Sequence, residues 1–408
     1  MSALPLDGSI NESVASRLGL PRLPVFGWST FAAAKEANLP CILDQPNKVY
    51  TSSGRAAIAV ALRDLGVGRG DSVLVPTYHC PTMIAPIVSV GARPLFFPLD
   101  AAGTPRIDVL ATLDLSNVRA MIAAHYFGIP QPMARIRKFC DDRNVALIED
   151  CAHAMFGQAE GRPIGTWGDY AIASLTKFLP TTDGGCLIFA RRPANPPQLR
   201  QRSMTDELRI AANSLEIGAR HGGLRGVNRP LASAFAFAAR LRGGNPLPAA
   251  PVEYATDRPR AAAQLLAEFA PEGPVWQSAS AWSRWIAGAA HRQRIVATRR
   301  RNYLHLAALL ANLPGTRVLR PDLPEFAAPY VFPLWVDAPA RIYQRVRNAG
   351  IPVFRWDDVW QGVPMIAGDC GSDWSVHLFQ LGCHQDLRLD DLARMADTLR
   401  DILAAAET

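Results

Sequence analysis

The sequence predicts an α/β protein: a mainly parallel sheet covered by helices on both faces, followed by a smaller α/β unit. Three observations carry that expectation. Between Tyr50 and Phe189 short apolar runs alternate with helical patterns, as parallel βα units require. The runs are continuously apolar, as in Ser72–Pro76 (SVLVP) and Val145–Glu149 (VALIE), which suits strands covered on both faces. The 408 residues, with 49% hydrophobic and 19% charged content, are enough for a substantial core and for two domains.

Taken in order, a helix at Ser53–Leu65 starts from Ser52-Ser53-Gly54, a run able to cap it. Strand Ser72–Pro76, helix Thr82–Val90 and strand Arg93–Pro98 follow, then strand Arg119–Ala123 and helix Met133–Arg143. Strand Val145–Glu149 ends at Asp150, and Tyr170–Ser174 and Gly185–Ala190 are two further strands. Segment 191–260 has Ala- and Arg-rich helical patterns, then Gly243-Gly244-Asn245-Pro246 and a Pro-rich stretch to Pro259. That punctuation marks a boundary, giving a large domain at 1–250 and a small one at 251–408. The small domain reads as a long helix at about 282–313, strand Tyr330–Val336, helix Ala340–Ala349, strand Pro352–Arg355 and a closing helix Leu389–Ala405.

Composition narrows the function classes. The formal charge of +7 is spread along the chain, with one denser run at Arg292, Arg294, Arg299, Arg300 and Arg301. The run reads as a solvated helix face, or else as a patch for an anionic substrate or partner subunit. It lacks the interleaved aromatics of single-strand binders, Tyr303 apart, so no nucleic-acid partner is expected. Seven scattered cysteines with no C-x-x-C pair suggest reduced thiols in a cytoplasmic protein, with no disulfide frame and no metal site. Met1–Leu20 contains Asp7 and Glu12 and no apolar core, so no signal peptide is read. No run is long enough to span a membrane.

Three segments sit where an open α/β sheet places its ligands, just beyond strand ends. Ser53-Gly54-Arg55 opens a helix, where free amides and the helix dipole favour an anion such as phosphate; Ser53 could equally be a simple N-cap. Asp150 ends a buried strand and needs a cation or hydrogen bonds to stay charged. A protonated pyridine nitrogen would serve, and so would a role as N-cap of the next helix. Lys177 follows the strand Tyr170–Ser174, and burial there would lower its pKa and make its amine nucleophilic. The string Ser174–Lys177 is formally S-x-x-K, but no K-T-G or S-D-N partner occurs. A surface lysine is the plain alternative, in a chain that otherwise uses arginine.

In order along the chain, these segments resemble the DegT/DnrJ/EryC1/StrS family of sugar aminotransferases. The similarity is clearest from about Tyr50 to Ala190: Ala124-His125-Tyr126-Phe127-Gly128, Ile148-Glu149-Asp150-Cys151-Ala152-His153-Ala154, Gly161 to Asp169, Ser174 with Thr176-Lys177, and Asp183-Gly184-Gly185. The resemblance implies fold type I and pyridoxal 5′-phosphate (PLP) as cofactor. It implies Lys177 as the Schiff-base lysine and proton carrier, and Asp150 as partner of the pyridine nitrogen. It also implies Ser53, Gly54, Arg55 and Ser174 around the phosphate, and Asn228 reaching the phosphate of a neighbouring subunit in a homodimer.

Four departures set the chain apart. His153 stands where the family has a glutamine near the cofactor's 3′-oxygen, and Arg55 where it has Thr or Ser. The loop before Lys177 is about two residues shorter than the usual spacing. Pro76-Thr-Tyr-His-Cys80-Pro-Thr82 replaces the family's P-S-F-T-F-x-A-T. The ring that stacks on the cofactor then falls on Cys80 in strict register, or on His79 or Tyr78 with a shift; a flat ring is needed there, which favours His79. The expected activity is transfer of an amino group from an amino acid, glutamate above all, to a keto-sugar or related acceptor. A PLP-dependent sugar dehydratase carries His in place of the lysine and is disfavoured. Racemisation, decarboxylation or acyl transfer on the same cofactor, and a non-catalytic binding relative, remain as alternatives.

Overall fold

A computed structural model of the chain describes residues 18–33, 39–193, 195–241 and 262–407. Its first part runs β1 (Lys48–Thr51), α1 (Gly54–Asp64), β2 (Ser72–Pro76), α2 (Pro81–Ser89), β3 (Arg93–Phe97), α3 (Ile107–Leu110), β4 (Val118–Ala124), α4 (Met133–Asp142) and β5 (Ala146–Asp150). A small hairpin, β6 (Gln158–Ala159) with β7 (Arg162–Pro163), leads to β8 (Tyr170–Ser174) and β9 (Gly185–Phe189). Seven of these strands form one sheet in the order β1-β9-β8-β5-β4-β2-β3. From β3 to β8 every pairing is parallel, while β9 runs antiparallel to both β8 and β1. The mainly parallel sheet expected from the sequence is therefore present, with seven strands.

Parallel strands leave their carboxyl ends on one edge, and that edge is where the chemistry-bearing residues emerge. Helices pack against both faces. The helix α1 is apolar nearly all round, with Ile58, Val60 and Leu62 buried between the sheet and α2. Each of those side chains contributes about 1.5–3 kcal/mol of burial. Ser53 caps this helix by accepting a hydrogen bond from the Ala56 amide, so the position of its first turn at the strand ends is fixed locally.

Next come α5 (Met204–Arg220), α6 (Asn228–Leu241), α7 (Ala262–Ala267) and α8 (Ala281–Ala289). The chain from 262 onward returns to the large sheet: Leu265, Phe269, Val275 and Trp276 join the core made by α1 and α2. The boundary expected at 250/251, with its Gly243–Pro246 and Pro-rich signals, lies outside the described residues.

A second sheet, β10 (Thr316–Val318), β11 (Val331–Val336), β12 (Val353–Phe354) and β13 (Leu378–Gly382), is antiparallel throughout in the order β10-β11-β13-β12. It packs with α9 (Arg292–Leu310), α10 (Pro339–Asn348) and α12 (Leu389–Glu407) around Tyr303, Leu306, Phe332, Val346, Phe379 and Leu399. A short helix, α11 (Gly371–His377), precedes β13. No helix among the described residues is long and apolar enough to cross a membrane.

Two expectations need correction here. The long helix read at about 282–313 is two helices, α8 and α9, because Ala290 is extended (φ −66°, ψ 136°) and the His291 amide donates to Thr30 O at 2.9 Å. The basic run is not a solvated face as a whole either, although Arg301 is exposed. Arg292 pairs with Asp44, Arg294 with Asp386, Arg300 donates to the Pro324 and Ala327 carbonyls, and Arg299 is fully buried. Strands β1, β10 and β13 escaped the sequence reading: β1 and β10 are only four and three residues long, and β13 follows α11 with no turn residue between them.

Candidate active site

Beyond the carboxyl edge of the large sheet lies a cavity of about 630 Å³. Its near wall is made by strand ends and the turns that follow them. Lys177 comes from β8, Asp150 and His153 from β5, Cys80 from β2, and Ser53-Gly54-Arg55 from the start of α1. Its far wall comes from the second sheet, its loops and α10: Tyr330, Phe354, Trp356 and Asp358 from the first two, Tyr343 and Arg347 from the helix.

The short loop before Lys177 is a single 3-10 turn, Leu175–Lys177, that closes directly on the end of β8. Leu175 is held from both sides, its amide on Gly184 O at 3.0 Å and its carbonyl by the Phe178 and Leu179 amides. The Lys177 side chain is half-buried and faces the cavity. Its Nζ makes no hydrogen bond or ion pair among the described residues and lies 5.3 Å from the Tyr330 ring centre. Burial pushes its pKa below the usual lysine value, with Cys80 and Asp150 pulling the other way.

Asp150 is the last residue of β5 and is buried. One carboxylate oxygen accepts the Ala152 amide at 2.8 Å, and no cation pairs with it among the described residues. Burial pushes its pKa up, opposed by that amide, Lys177 and His125. Three residues on, His153 is packed between Tyr330 (centroids 4.6 Å apart) and Trp356 (4.8 Å). Its Nε2 is buried with no hydrogen-bond partner among the described residues, and burial followed by the Lys177 charge pushes its pKa well below the ordinary histidine value. Burial therefore favours the neutral ring.

Directly behind Asp150, Glu149 holds the turn together from the opposite face of β5. This buried carboxylate accepts from His125 Nε2 (3.0 Å) and from the amides of Gly165 (2.7 Å), Trp167 (2.9 Å) and Gly168 (3.2 Å). Burial alone would raise its pKa; those hydrogen bonds outweigh it and leave the carboxyl below its usual value. The amide of Gln131 donates to His125 Nδ1 at 2.9 Å, which leaves the proton on Nε2 for Glu149. With Cys151, these residues form a cluster of metal-ligating types, but the hydrogen bonds already use them. Gly168 is needed because a Cβ there would lie 2.1 Å from Tyr170 O.

At the other end of the cavity the first turn of α1 offers amides with no acceptor inside the helix. Gly185 makes this possible: a Cβ on it would lie 2.3 Å from Ser53 C and 2.7 Å from Gly54 N. Ser174 also lines this end, its hydroxyl 3.4 Å from Thr176 Oγ1. Arg55 lines the cavity with its guanidinium paired to Glu268 at 2.7 Å. Asp183 is held by Arg202 (2.9 Å) and by the hydroxyls of Ser280 and Ser283, which ties α8 to the loop before β9.

Two expected site residues stand elsewhere. His79 does not line the cavity; it is fully buried and stacked on Phe96 with centroids 5.3 Å apart. Its Nδ1 donates to Pro76 O at 3.0 Å and its Nε2 accepts the Trp360 amide at 3.1 Å. Both nitrogens are spent on the fold, and Cys80, its thiol against Thr82 Oγ1, takes the cavity-facing position in strict register. Asn228 caps locally, accepting the Leu224 amide at 2.9 Å, and is not part of this cavity within one chain. The sequence reading missed the far wall entirely. Trp356 in particular had no motif around it, and only its place two residues after a short strand could have singled it out.

Residues 33–195 match the DegT/DnrJ/EryC1/StrS aminotransferase family, so the resemblance seen in the sequence holds for that segment. Among curated proteins, the dTDP-4-dehydro-2,3,6-trideoxy-D-glucose 4-aminotransferase of Saccharopolyspora spinosa is 33% identical over 177 residues, 43% of this chain and 44% of the relative. The L-glutamine:2-deoxy-scyllo-inosose aminotransferase of Streptomyces kanamyceticus is 31% identical over 146 residues, 35% of this chain and 34% of the relative. The chain thus matches less than half the length of these relatives. Among solved structures, the aminotransferase TlmJ from Streptoalloteichus hindustanus has a TM-score of 0.60 at 22% identity, covering 88% of this chain and 86% of that one. The chain has the fold of these aminotransferases.

Proposed function

We propose that the chain is a PLP-dependent aminotransferase that moves an amino group from an amino-acid donor to a keto-sugar or related keto acceptor. The observation that carries this reading is the convergence on one cavity of three groups that, among the described residues, are incomplete: a lysine amine with no hydrogen bond or ion pair, a buried carboxylate with no counter-ion, and a buried histidine nitrogen with no hydrogen-bond partner. An uncompensated carboxylate and an orphaned ring nitrogen are costly unless something else completes them. PLP offers a protonated ring nitrogen for Asp150, an oxygen for His153, a carbonyl for Lys177 and a phosphate for the first turn of α1. The residues fit the group.

When bound, PLP supplies an electron sink for the carbanion that forms at the donor's Cα. The chain's own contributions follow from the site. Asp150 holds the ring nitrogen's proton in a dry environment, where the ion pair is worth most. Lys177, its pKa lowered by burial, is free of a proton at a lower pH than an exposed lysine and can take one from Cα and return it nearby. His153 stays neutral and offers a hydrogen bond without adding charge. The amides of Gly54 and Arg55, with Ser53 and Ser174, hold the phosphate end. The family match at 33–195 and the amino-group chemistry in the relatives' names support the reading. The subunit reached by Asn228, as a homodimer would require, belongs to the same proposal.

The experiment is a donor half-reaction. PLP-loaded protein is mixed with glutamate or glutamine and no acceptor. The expected result is loss of the visible-edge absorbance with one equivalent of 2-oxo acid released per site. Absorbance that persists with every common amino acid contradicts transamination.

A further inference from the structure

Arg299, in the basic run of α9, is fully buried and has no carboxylate partner among the described residues. Its guanidinium spends its donors on neutral oxygens. Nε donates to Gln385 Oε1 at 2.8 Å, Nη1 to Pro329 O and Tyr330 O at 3.0 and 3.1 Å, and Nη2 to Lys177 O at 2.7 Å. It also lies over the Phe178 ring, 4.4 Å from its centre. Gln385 extends the same clamp by donating from Nε2 to Phe178 O at 2.8 Å. A buried cation without a counter-ion is an expensive way to fill a core, where an apolar side chain of similar volume is generally the more stable choice.

The acceptors show what that cost secures. One is the backbone carbonyl of Lys177 itself. Another belongs to Tyr330, whose ring lies 5.3 Å from Lys177 Nζ and packs on His153. A single planar fork thus grips the turn that carries the amine and the strand that carries the facing wall, and it comes from a helix of the second core. The fork geometry fixes both at once, which a lysine's point charge cannot do.

We propose that Arg299 is a positioning residue: it sets where the Lys177 amine stands relative to Tyr330 and the cavity. The proposal rests on the PLP reading only for its first test, on the PLP-loaded protein. Arg299→Met should keep the far-ultraviolet circular dichroism of the wild type and still bind PLP. Its visible circular dichroism, which reports how the lysine-bound cofactor is oriented, should fall by more than half. Its kcat should drop on the order of 10²-fold, the scale of misplacing a reacting group, with donor KM changing far less. Arg299→Lys should recover only part of both. A folded Arg299→Met with wild-type visible circular dichroism and kcat overturns the proposal. Should Arg299→Met not fold, Gln385→Leu, which removes one acceptor and the Phe178 contact, should shift the same two signals in the same direction, and unchanged signals overturn it.

The second test needs no cofactor. Lys177 is one of four lysines in the chain, so brief acetylation of the unloaded protein followed by peptide mass measurement gives its reactivity against Lys48. That ratio should change several-fold in the Arg299 variants, or in Gln385→Leu where those do not fold. An unchanged ratio overturns the proposal whether or not PLP binds. A wild type that fails to bind PLP overturns the functional reading alone.

Discussion

The two walls of the cavity are built differently. The near wall uses the carboxyl ends of parallel strands, so Asp150, His153 and Lys177 are each set within three positions of a hydrogen-bonded ladder: Asp150 ends β5, and Lys177 stands three residues beyond the end of β8. The far wall adds Tyr343 and Arg347 of α10 to a two-residue strand and the irregular stretch after it, with Phe354, Trp356 and Asp358 contributed over five positions. Groups that must meet reacting atoms within tenths of an ångström come from regular structure. Groups that face whatever enters come from loops, where sequence can change without disturbing the sheet.

Breaking the near wall should cost most. Glu149→Gln leaves His125 and three amides facing a neutral group in place of a carboxylate, and stability should fall by about 3–5 kcal/mol. Urea unfolding reads this directly; a loss under about 1 kcal/mol, the scale of a single ordinary hydrogen bond, would show that Glu149 is not the hub of the turn. Asp150→Asn keeps shape and removes charge. It should leave the fold intact while lowering kcat on the order of 10²-fold, as expected for losing one preorganised electrostatic partner, and unaltered turnover would remove Asp150 from the mechanism.

The buried face behind the near wall has its own pH signature. Burial pushes the His79 pKa down to about 4, whereas the unfolded chain protonates histidine near 6.5. The unfolded state therefore gains protons first as pH falls. Stability from this site is complete above about pH 6.5 and drains away toward pH 4, with about 2 kcal/mol lost by pH 5. The difference in unfolding free energy between pH 7 and pH 5 should shrink by that amount in His79→Leu; an unchanged difference would mean the ring is not held neutral.

The far wall should respond more gently and on the other substrate. Trp356→Ala should raise the acceptor KM several-fold, about 1 kcal/mol for a lost aromatic contact, and leave the donor half-reaction rate untouched. Equal effects on both halves would erase the distinction between the walls.

That distinction also explains what could be read in advance. Continuous apolar runs ending in Asp150 and Ser174 announce buried parallel strands, and residues just past them are candidates on physical grounds alone. Cys80 follows from register, but choosing His79 over it on the argument that a ring was needed failed. The loop hydrogen-bonds His79 into the core through Pro76 and Trp360, and that pairing spans 281 residues of sequence. Arg299 failed for a similar reason. In a run of five arginines nothing local separates the buried one from its neighbours, because its partners Lys177, Pro329, Tyr330 and Gln385 come from three separate stretches of chain. Tyr330 and Trp356 meet His153 only after the second sheet has docked, and no short-range pattern encodes that.

Whether Lys177 carries the cofactor can be read out chemically. Protein incubated with PLP is reduced with borohydride, digested, and its lysine-containing peptides are weighed. A single reduced phosphopyridoxyl adduct is expected on Lys177, absent from Lys177→Ala along with the visible-edge absorbance. An adduct only on another lysine, or none with PLP in excess, would contradict it.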